Sequence, residues 1–175
     1  DVLRSGRMSG LDVTMEFEKE YAAKIGRKYA LACNTGTAAI HCGFFGLGVG
    51  VGDEVIAPSL TYWATVLQVM SLGATPVFAE VDPETLCINP KDIERRITPR
   101  TKAIAVVHYC GRPCEMDAIL AIGRERGIPI LEDVSHAHGA LYKGREVGTL
   151  SEVAAMSLMS GKSFAIGEGG ILFTD

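Results

Sequence analysis

Met116-Asp117-Ala118-Ile119-Leu120-Ala121-Ile122-Gly123-Arg124-Glu125-Arg126-Gly127-Ile128-Pro129-Ile130-Leu131-Glu132-Asp133-Val134-Ser135-His136 is the stretch that decides the fold. Residues 116–126 read as a helix, and Gly127 as its stop, because glycine tolerates the left-handed conformation that closes helices. Residues 128–132 form a short apolar strand that ends in acid and then histidine. The same alternation continues on both sides. Downstream, residues 153–158 and 170–174 look like the last two strands. Upstream, 101–107 reads as a strand and 90–96 as a short helix, with Asn89 as N-cap and Pro90 in its first position. Residues 29–33, 54–57 and 75–80 read as strands, and 37–47 and 64–72 as helices. Residues 12–25 carry Val13, Phe17, Tyr21 and Ile25 at helical spacing, ahead of Gly26. Apolar strands alternating with helices predict an α/β fold, a three-layer α/β/α sandwich around a mostly parallel sheet.

The 175 residues are enough for one sizeable core, with 47% hydrophobic and 22% charged residues, an ordinary globular balance. Lys+Arg 17 against Asp+Glu 21 gives a net charge of −4 without a basic cluster, which argues against nucleic acid or a polybasic membrane surface. The apolar runs are broken well before bilayer-spanning length, and no signal peptide opens the chain. Five cysteines without framework spacing suit reduced thiols, hence a cytoplasmic location. Residues 1–10 carry no strand or clear helix, and Asp175 follows directly on a strand, so the sequence reads as a fragment of a longer protein.

In open parallel sheets ligands bind beyond the carboxyl ends of the strands. Several chemistry-bearing segments fall there. Asn34-Thr35-Gly36-Thr37-Ala38 turns from a strand into a helix; its amides and the Thr37 hydroxyl suit a phosphate, or serve as an ordinary helix cap. Pro58-Ser59-Leu60-Thr61-Tyr62-Trp63 places adjacent aromatics where they can stack on a planar ring or plug the core. Asp133 can keep a pyridine nitrogen protonated, with His136 hydrogen-bonding a ring oxygen or keeping Asp133 ionised; a salt-bridged Asp beside a structural histidine is the plainer alternative. Lys162 stands among small and apolar residues, where a desolvated amine can form a Schiff base, with Ser157 and Ser160 as further phosphate hydroxyls. The conjunction points to pyridoxal 5′-phosphate.

Two other patterns carry less. The glycine run over residues 46–52 follows a helix and enters a strand, the reverse of a dinucleotide-binding turn. His108, Cys110, Cys114, His136 and His138 are metal-ligand types, but no closing Cys-x-x-Cys pair completes a zinc site, and no metal is expected.

Glu132-Asp133-Val134-Ser135-His136-Ala137-His138-Gly139-Ala140, Ser157-Leu158-Met159-Ser160-Gly161-Lys162 and Gly167-Glu168-Gly169-Gly170 resemble the fold-type I, pyridoxal-phosphate-dependent aminotransferases of the DegT/DnrJ type. Residues 52–59 and 99–104 are similar to that family's connecting segments. The resemblance implies that Lys162 is the Schiff-base lysine and Asp133 the partner of the pyridinium nitrogen. By the same resemblance His136 lies near the ring hydroxyl, Gly36, Thr37 and Ser157 take the phosphate, and Tyr62 stacks on the ring. Glu168 occupies the family's acidic position near substrate. The implied reaction moves an amino group from glutamate or glutamine to a keto-sugar, nucleotide-linked in that family, within a homodimer. Residues 1–175 then correspond to a partial large domain, without the family's small C-terminal domain. The alternatives are a cyclitol aminotransferase, a sugar dehydratase (in which histidine replaces the lysine), a non-catalytic cofactor-binding regulator, or a metal-binding structural domain.

Overall fold

The structure is a computed structural model that describes residues 2–6 and 11–175. Its centre is a seven-stranded sheet in the order β1-β9-β8-β5-β4-β2-β3. The strands are β1 (Tyr29–Cys33), β2 (Glu54–Pro58), β3 (Thr75–Ala79), β4 (Thr101–Val107), β5 (Ile130–Asp133), β8 (Val153–Ser157) and β9 (Gly170–Thr174). A separate hairpin pairs β6 (Leu141–Tyr142) with β7 (Arg145–Glu146). The helices are α1 (Val2–Ser5), α2 (Leu11–Ile25), α3 (Gly36–Gly46), α4 (Ala64–Ser71), α5 (Pro90–Arg96) and α6 (Met116–Arg126).

Side chains alternate across a strand, so successive residues of one strand serve opposite faces. Val55, Ala57, Ala103, Ala105, Leu131, Val153 and Ala155 pack with Ala39, Ile40 and Phe44 of α3 and Val69 of α4. Their neighbours Ile56, Ile104, Val106 and Ile130 pack with Ile93 of α5 and Met116, Ile119 and Ile122 of α6. Ala154, Met156, Ile171 and Phe173 complete that second face, with Ile25 of α2 against them. Burial on both faces explains why the strands read as continuous apolar runs, each large side chain contributing about 1.5–3 kcal/mol. The expected three-layer sandwich is what the chain forms.

Strands β2, β3, β4, β5 and β8 pair in parallel, whereas β9 is antiparallel to both β8 and β1. Strand β1 therefore runs in the same direction as β8, and six strands end at one edge, where β9 begins. Several boundaries differ from the sequence reading for local reasons. Strand β5 starts at Ile130 because Pro129 has no N–H to give; its carbonyl accepts from Ile104 N at 3.0 Å. Helix α3 starts one residue early, at Gly36, because the Thr35 side chain caps it by accepting from Ala38 N. Gly127 closes α6 as expected, at φ 65°. The hairpin, a 3-10 turn at Tyr109–Gly111 and the single turn Val2–Ser5 were not expected; the turn corrects the reading of 1–10 as non-helical, the rest of which (1 and 7–10) lies outside the described residues. Among the described residues no helix is long and apolar enough to cross a membrane.

Candidate active site

At the common carboxyl edge a cavity of about 320 Å³ opens between the ends of β5 and β8 and the N-termini of α3 and α4. Gly36, Thr37, Tyr62, Asp133, His136, Ser157, Lys162 and Glu168 all line it. Residues spread over the whole sequence thus meet in one place. The glycine run of residues 46–52 lies at the entrance to β2, the opposite edge, as a helix-to-strand connection.

Asp133 is 4% exposed, and its carboxylate is held by hydrogen bonds rather than by a cation. Oδ1 accepts from Ser135 N at 3.0 Å, and Oδ2 accepts from the hydroxyl of the fully buried Thr65 at 2.9 Å. Because the Thr65 proton goes to the carboxylate, Thr61 is the donor in the 3.0 Å contact between the two threonine hydroxyls. Among the described residues no Lys, Arg or His lies within ion-pair distance of Asp133, which removes the salt-bridge alternative. The sequence reading missed Thr65. Replacing Thr65 with valine keeps the side-chain shape but leaves Oδ2 without its hydroxyl donor, while Thr61 keeps the Tyr62 carbonyl as a partner, an expected loss of about 1–3 kcal/mol. Urea denaturation measures it; a Thr65→Val protein as stable as the parent would mean that Thr65 does not anchor Asp133.

The turn into α3 is packed so closely that side chains are excluded. A Cβ at Gly36 would lie 2.5 Å from Ser157 Cβ, and one at Gly170 would lie 2.2 Å from the Thr35 carbonyl oxygen. The first turn of α3 therefore rests on the end of β8 and the start of β9, which brings the positive end of the helix dipole to the cavity that Gly36 and Thr37 line. The cap reading holds for this segment, with Thr35 as the cap, while Gly36 and Thr37 line the cavity. Ser157 lines the cavity too. Ser160 does not join it: its hydroxyl donates to Gly167 O at 2.9 Å, tying the loop to itself.

His136 Nδ1 is buried without a hydrogen-bond partner, a polar atom that awaits one. Burial and then the neighbouring Lys162 charge hold this imidazole below the ordinary histidine value, against the opposing pull of Asp133. Among the described residues no carboxylate lies within ion-pair distance of Lys162, so its amine is available to a ligand. Tyr62 is 58% exposed and leans on Trp63 with ring centroids 5.0 Å apart, so neither aromatic plugs the core. Glu168 stands exposed at the rim. Of the metal-ligand types, both ring nitrogens of His108 and of His138 are engaged within the protein. Among the described residues no group of three or more His, Cys, Asp or Glu is placed to hold a metal ion.

A doubly covered, mostly parallel sheet with a lysine, a hydrogen-bonded aspartate and a glycine-threonine helix start around one cavity is the large-domain fold of pyridoxal-phosphate-dependent aminotransferases. The chain belongs to the DegT/DnrJ/EryC1/StrS aminotransferase family, whose model matches residues 1–175. It is 45% identical over 175 residues to the spore coat polysaccharide biosynthesis protein SpsC of Bacillus subtilis (strain 168), covering 100% of this chain and 45% of that protein. The crystal structure of an aminotransferase from Psychrobacter cryohalolentis superposes with a TM-score of 0.94 at 40% identity, over 99% of this chain and 45% of that one. The putative sugar aminotransferase Spr1654 of Streptococcus pneumoniae, solved in PLP and PMP forms, gives 0.95 at 30% identity, over 100% of this chain and 48% of that one. The chain thus spans about half the length of these relatives. The cavity fits pyridoxal 5′-phosphate: an orphaned imidazole nitrogen for a ring oxygen, a buried carboxylate for a ring nitrogen, an unpaired amine for an aldehyde and the N-terminus of α3 at Gly36 and Thr37 for a phosphate.

Proposed function

We propose that residues 1–175 are the cofactor-binding part of a pyridoxal-phosphate-dependent aminotransferase that transfers an amino group from glutamate or glutamine to a keto-sugar, nucleotide-linked in the reading we favour. The observation that carries this is the meeting of Lys162 and Asp133 on one cavity, from segments that the fold brings together. When bound, pyridoxal 5′-phosphate supplies an aldehyde for amines to condense with and a protonated ring that draws electrons from the neighbouring carbon. Asp133, locked by Thr65 and Ser135, holds the proton on the ring nitrogen. His136 Nδ1 bonds the ring hydroxyl, and Gly36, Thr37 and Ser157 hold the phosphate at the helix N-terminus. Tyr62 covers the ring face. Lys162 Nζ would hold the cofactor and, as a free amine, would take up and return the migrating proton. Glu168, exposed at the rim, meets the substrate in this reading.

The exposed Trp63, Leu67 and Met70, spaced along one face of α4 beside the cavity, support a homodimer that covers them. The small C-terminal domain of the family lies outside this sequence in this reading. The five free cysteines suit the reducing cytoplasm. Adding pyridoxal 5′-phosphate is expected to give a visible absorption band that borohydride bleaches, leaving the cofactor on the peptide containing Lys162. Glutamate is expected to discharge that band before reduction; a band that glutamate leaves unchanged would favour a non-catalytic cofactor binder, and no band would reject the cofactor.

A further inference from the structure

The parallel ladder between β5 and β8 ends at Asp133 opposite Ala155, with Val134 N donating to Ala155 O at 2.9 Å. Beyond that point side chains continue it. Ser157 N donates to Ser135 Oγ at 2.9 Å, and Ser157 O is 3.0 Å from His138 Nε2. The other ring nitrogen of His138 accepts the backbone N–H of Phe164 at 3.0 Å. A nitrogen that accepts an N–H carries no proton, so the acceptor is Nδ1, the proton is on Nε2, and the imidazole is neutral in this arrangement.

Phe164 belongs to the loop over residues 158–169 that carries Lys162. The base of this loop closes on itself: Leu158 N donates to Gly169 O, Ile166 N to Leu158 O and Ser160 N to Gly167 O. Its tip is sparsely held. Lys162 N donates to Met159 O inside the loop, and among the described residues no hydrogen bond other than that of His138 joins residues 161–165 to a segment outside it. The Phe164 ring also stacks on Tyr21 of α2 at 6.3 Å, with Lys24 5.8 Å from its centroid. The half-buried His138 thus bridges the end of β8 to the chain two residues beyond the lysine.

We propose that His138 is a positioning residue that, as neutral imidazole, fixes the Lys162 loop against the end of β8 and so sets where the Lys162 amine enters the cavity. The role in catalysis rests on the function proposed above; the tether itself does not. Protonation would place an N–H at Nδ1 against the Phe164 N–H and break the bond. The charged groups that bear on His138 are Lys162 and His136, with Lys24 beyond the Phe164 ring. Burial first, and then Lys162 and His136, hold its proton affinity below the ordinary histidine value, against the favourable Ser157 carbonyl. A histidine with a lowered pKa favours its native place when neutral. The tether is therefore complete above the ordinary value of about 6.5 and is lost as pH falls from there through the lowered native value.

Amide hydrogen exchange in the cofactor-free protein, corrected for intrinsic rates, tests this at Phe164. In His138→Gln the amide nitrogen replaces Nε2, keeping the Ser157 bond and losing the Phe164 bond. In His138→Asn the amide oxygen replaces Nδ1, with the opposite result. Phe164 protection should fall roughly 5–10-fold, the worth of one net hydrogen bond, in the Gln protein and stay near wild type in the Asn protein. The wild-type fall in protection below about pH 6.5 should vanish in His138→Asn even though His136 still titrates. Cofactor attachment to Lys162, trapped with borohydride, should slow in the Gln protein and recover in the Asn protein. Equal Phe164 protection in wild type and His138→Gln would overturn the tether, whereas failure of wild-type trapping with the tether intact would overturn the cofactor reading alone.

Discussion

Lys162→Ala is expected to lower aminotransfer by at least about 10³-fold, because positioned proton transfer alone accounts for roughly 10²–10⁴ and covalent capture of the cofactor is lost with it. The loss should fall on the chemistry and leave the fold alone. Among the described residues Lys162 makes no ion pair, and it sits at a loop tip, so stability should change by no more than about 0.5 kcal/mol. The variant should still bind pyridoxal 5′-phosphate through the Gly36-Thr37 turn and Asp133, but borohydride should no longer fix it to the protein. Lys162→Arg separates charge from chemistry: a guanidinium keeps the positive charge and cannot act as the condensing amine. It should therefore be as inactive as the alanine variant. Turnover within tenfold of wild type in either protein would reject Lys162 as the reactive group.

The alternation of elements was legible because burial on both sheet faces writes long apolar runs, and glycines such as Gly127 mark where helices stop. The direction of β9 was not legible. Nothing in Gly170-Ile171-Leu172-Phe173-Thr174 distinguishes a strand entering the sheet antiparallel from one entering parallel; the closed loop over residues 158–169 decides it by returning the chain to the edge it left. The cavity was legible wherever a reactive side chain followed directly on a strand, as Asp133 does. Partners that depend on tertiary approach were hidden: Thr65 reaches Asp133 across 68 positions of sequence, and a threonine in the second position of a helix is otherwise unremarkable. His138 and His108 were visible as metal-ligand residue types, set aside for want of a complete zinc site and given no other role. Their ring nitrogens instead serve backbone groups and a buried carboxylate, assignments that need coordinates.

That carboxylate, Glu132, sets the second large effect. It points away from Asp133, its neighbour on β5, as alternation along a strand requires, and it is fully buried. Oε1 accepts from Leu150 N, Ser151 N and the Ser151 hydroxyl at 3.0, 2.9 and 2.8 Å. Oε2 accepts from Gly148 N at 2.7 Å and faces His108 Nε2 at 3.1 Å. Because His108 Nδ1 accepts from Cys114 N at 3.1 Å, the proton lies on Nε2, and the contact is a hydrogen bond from neutral imidazole to carboxylate. Burial pushes the Glu132 carboxyl up, but His108, Gly148 and Ser151 outweigh it and leave it below its ordinary value. Glu132→Gln is nearly isosteric and still fails: with the amide oxygen at Oε1, its NH₂ confronts the Gly148 and His108 donors, and turning the amide over confronts the Leu150 and Ser151 N–H groups, the Ser151 hydroxyl being free to turn to Val153 O. Switching the His108 tautomer only moves the conflict to Cys114 N. At least two buried donors lose their acceptor, an expected cost of about 2–6 kcal/mol by urea denaturation, a large share of a stability that is ordinarily about 5–15 kcal/mol. The pH dependence carries the same sign: a depressed carboxyl contributes stability above the unfolded value of about 4.3 that is lost as pH falls through the lower native one. The Gln protein should be less stable at neutral pH and flatter across the acid limb. Equal stability and an unchanged acid limb would mean that the residues 146–151 are held to β5 by something other than Glu132.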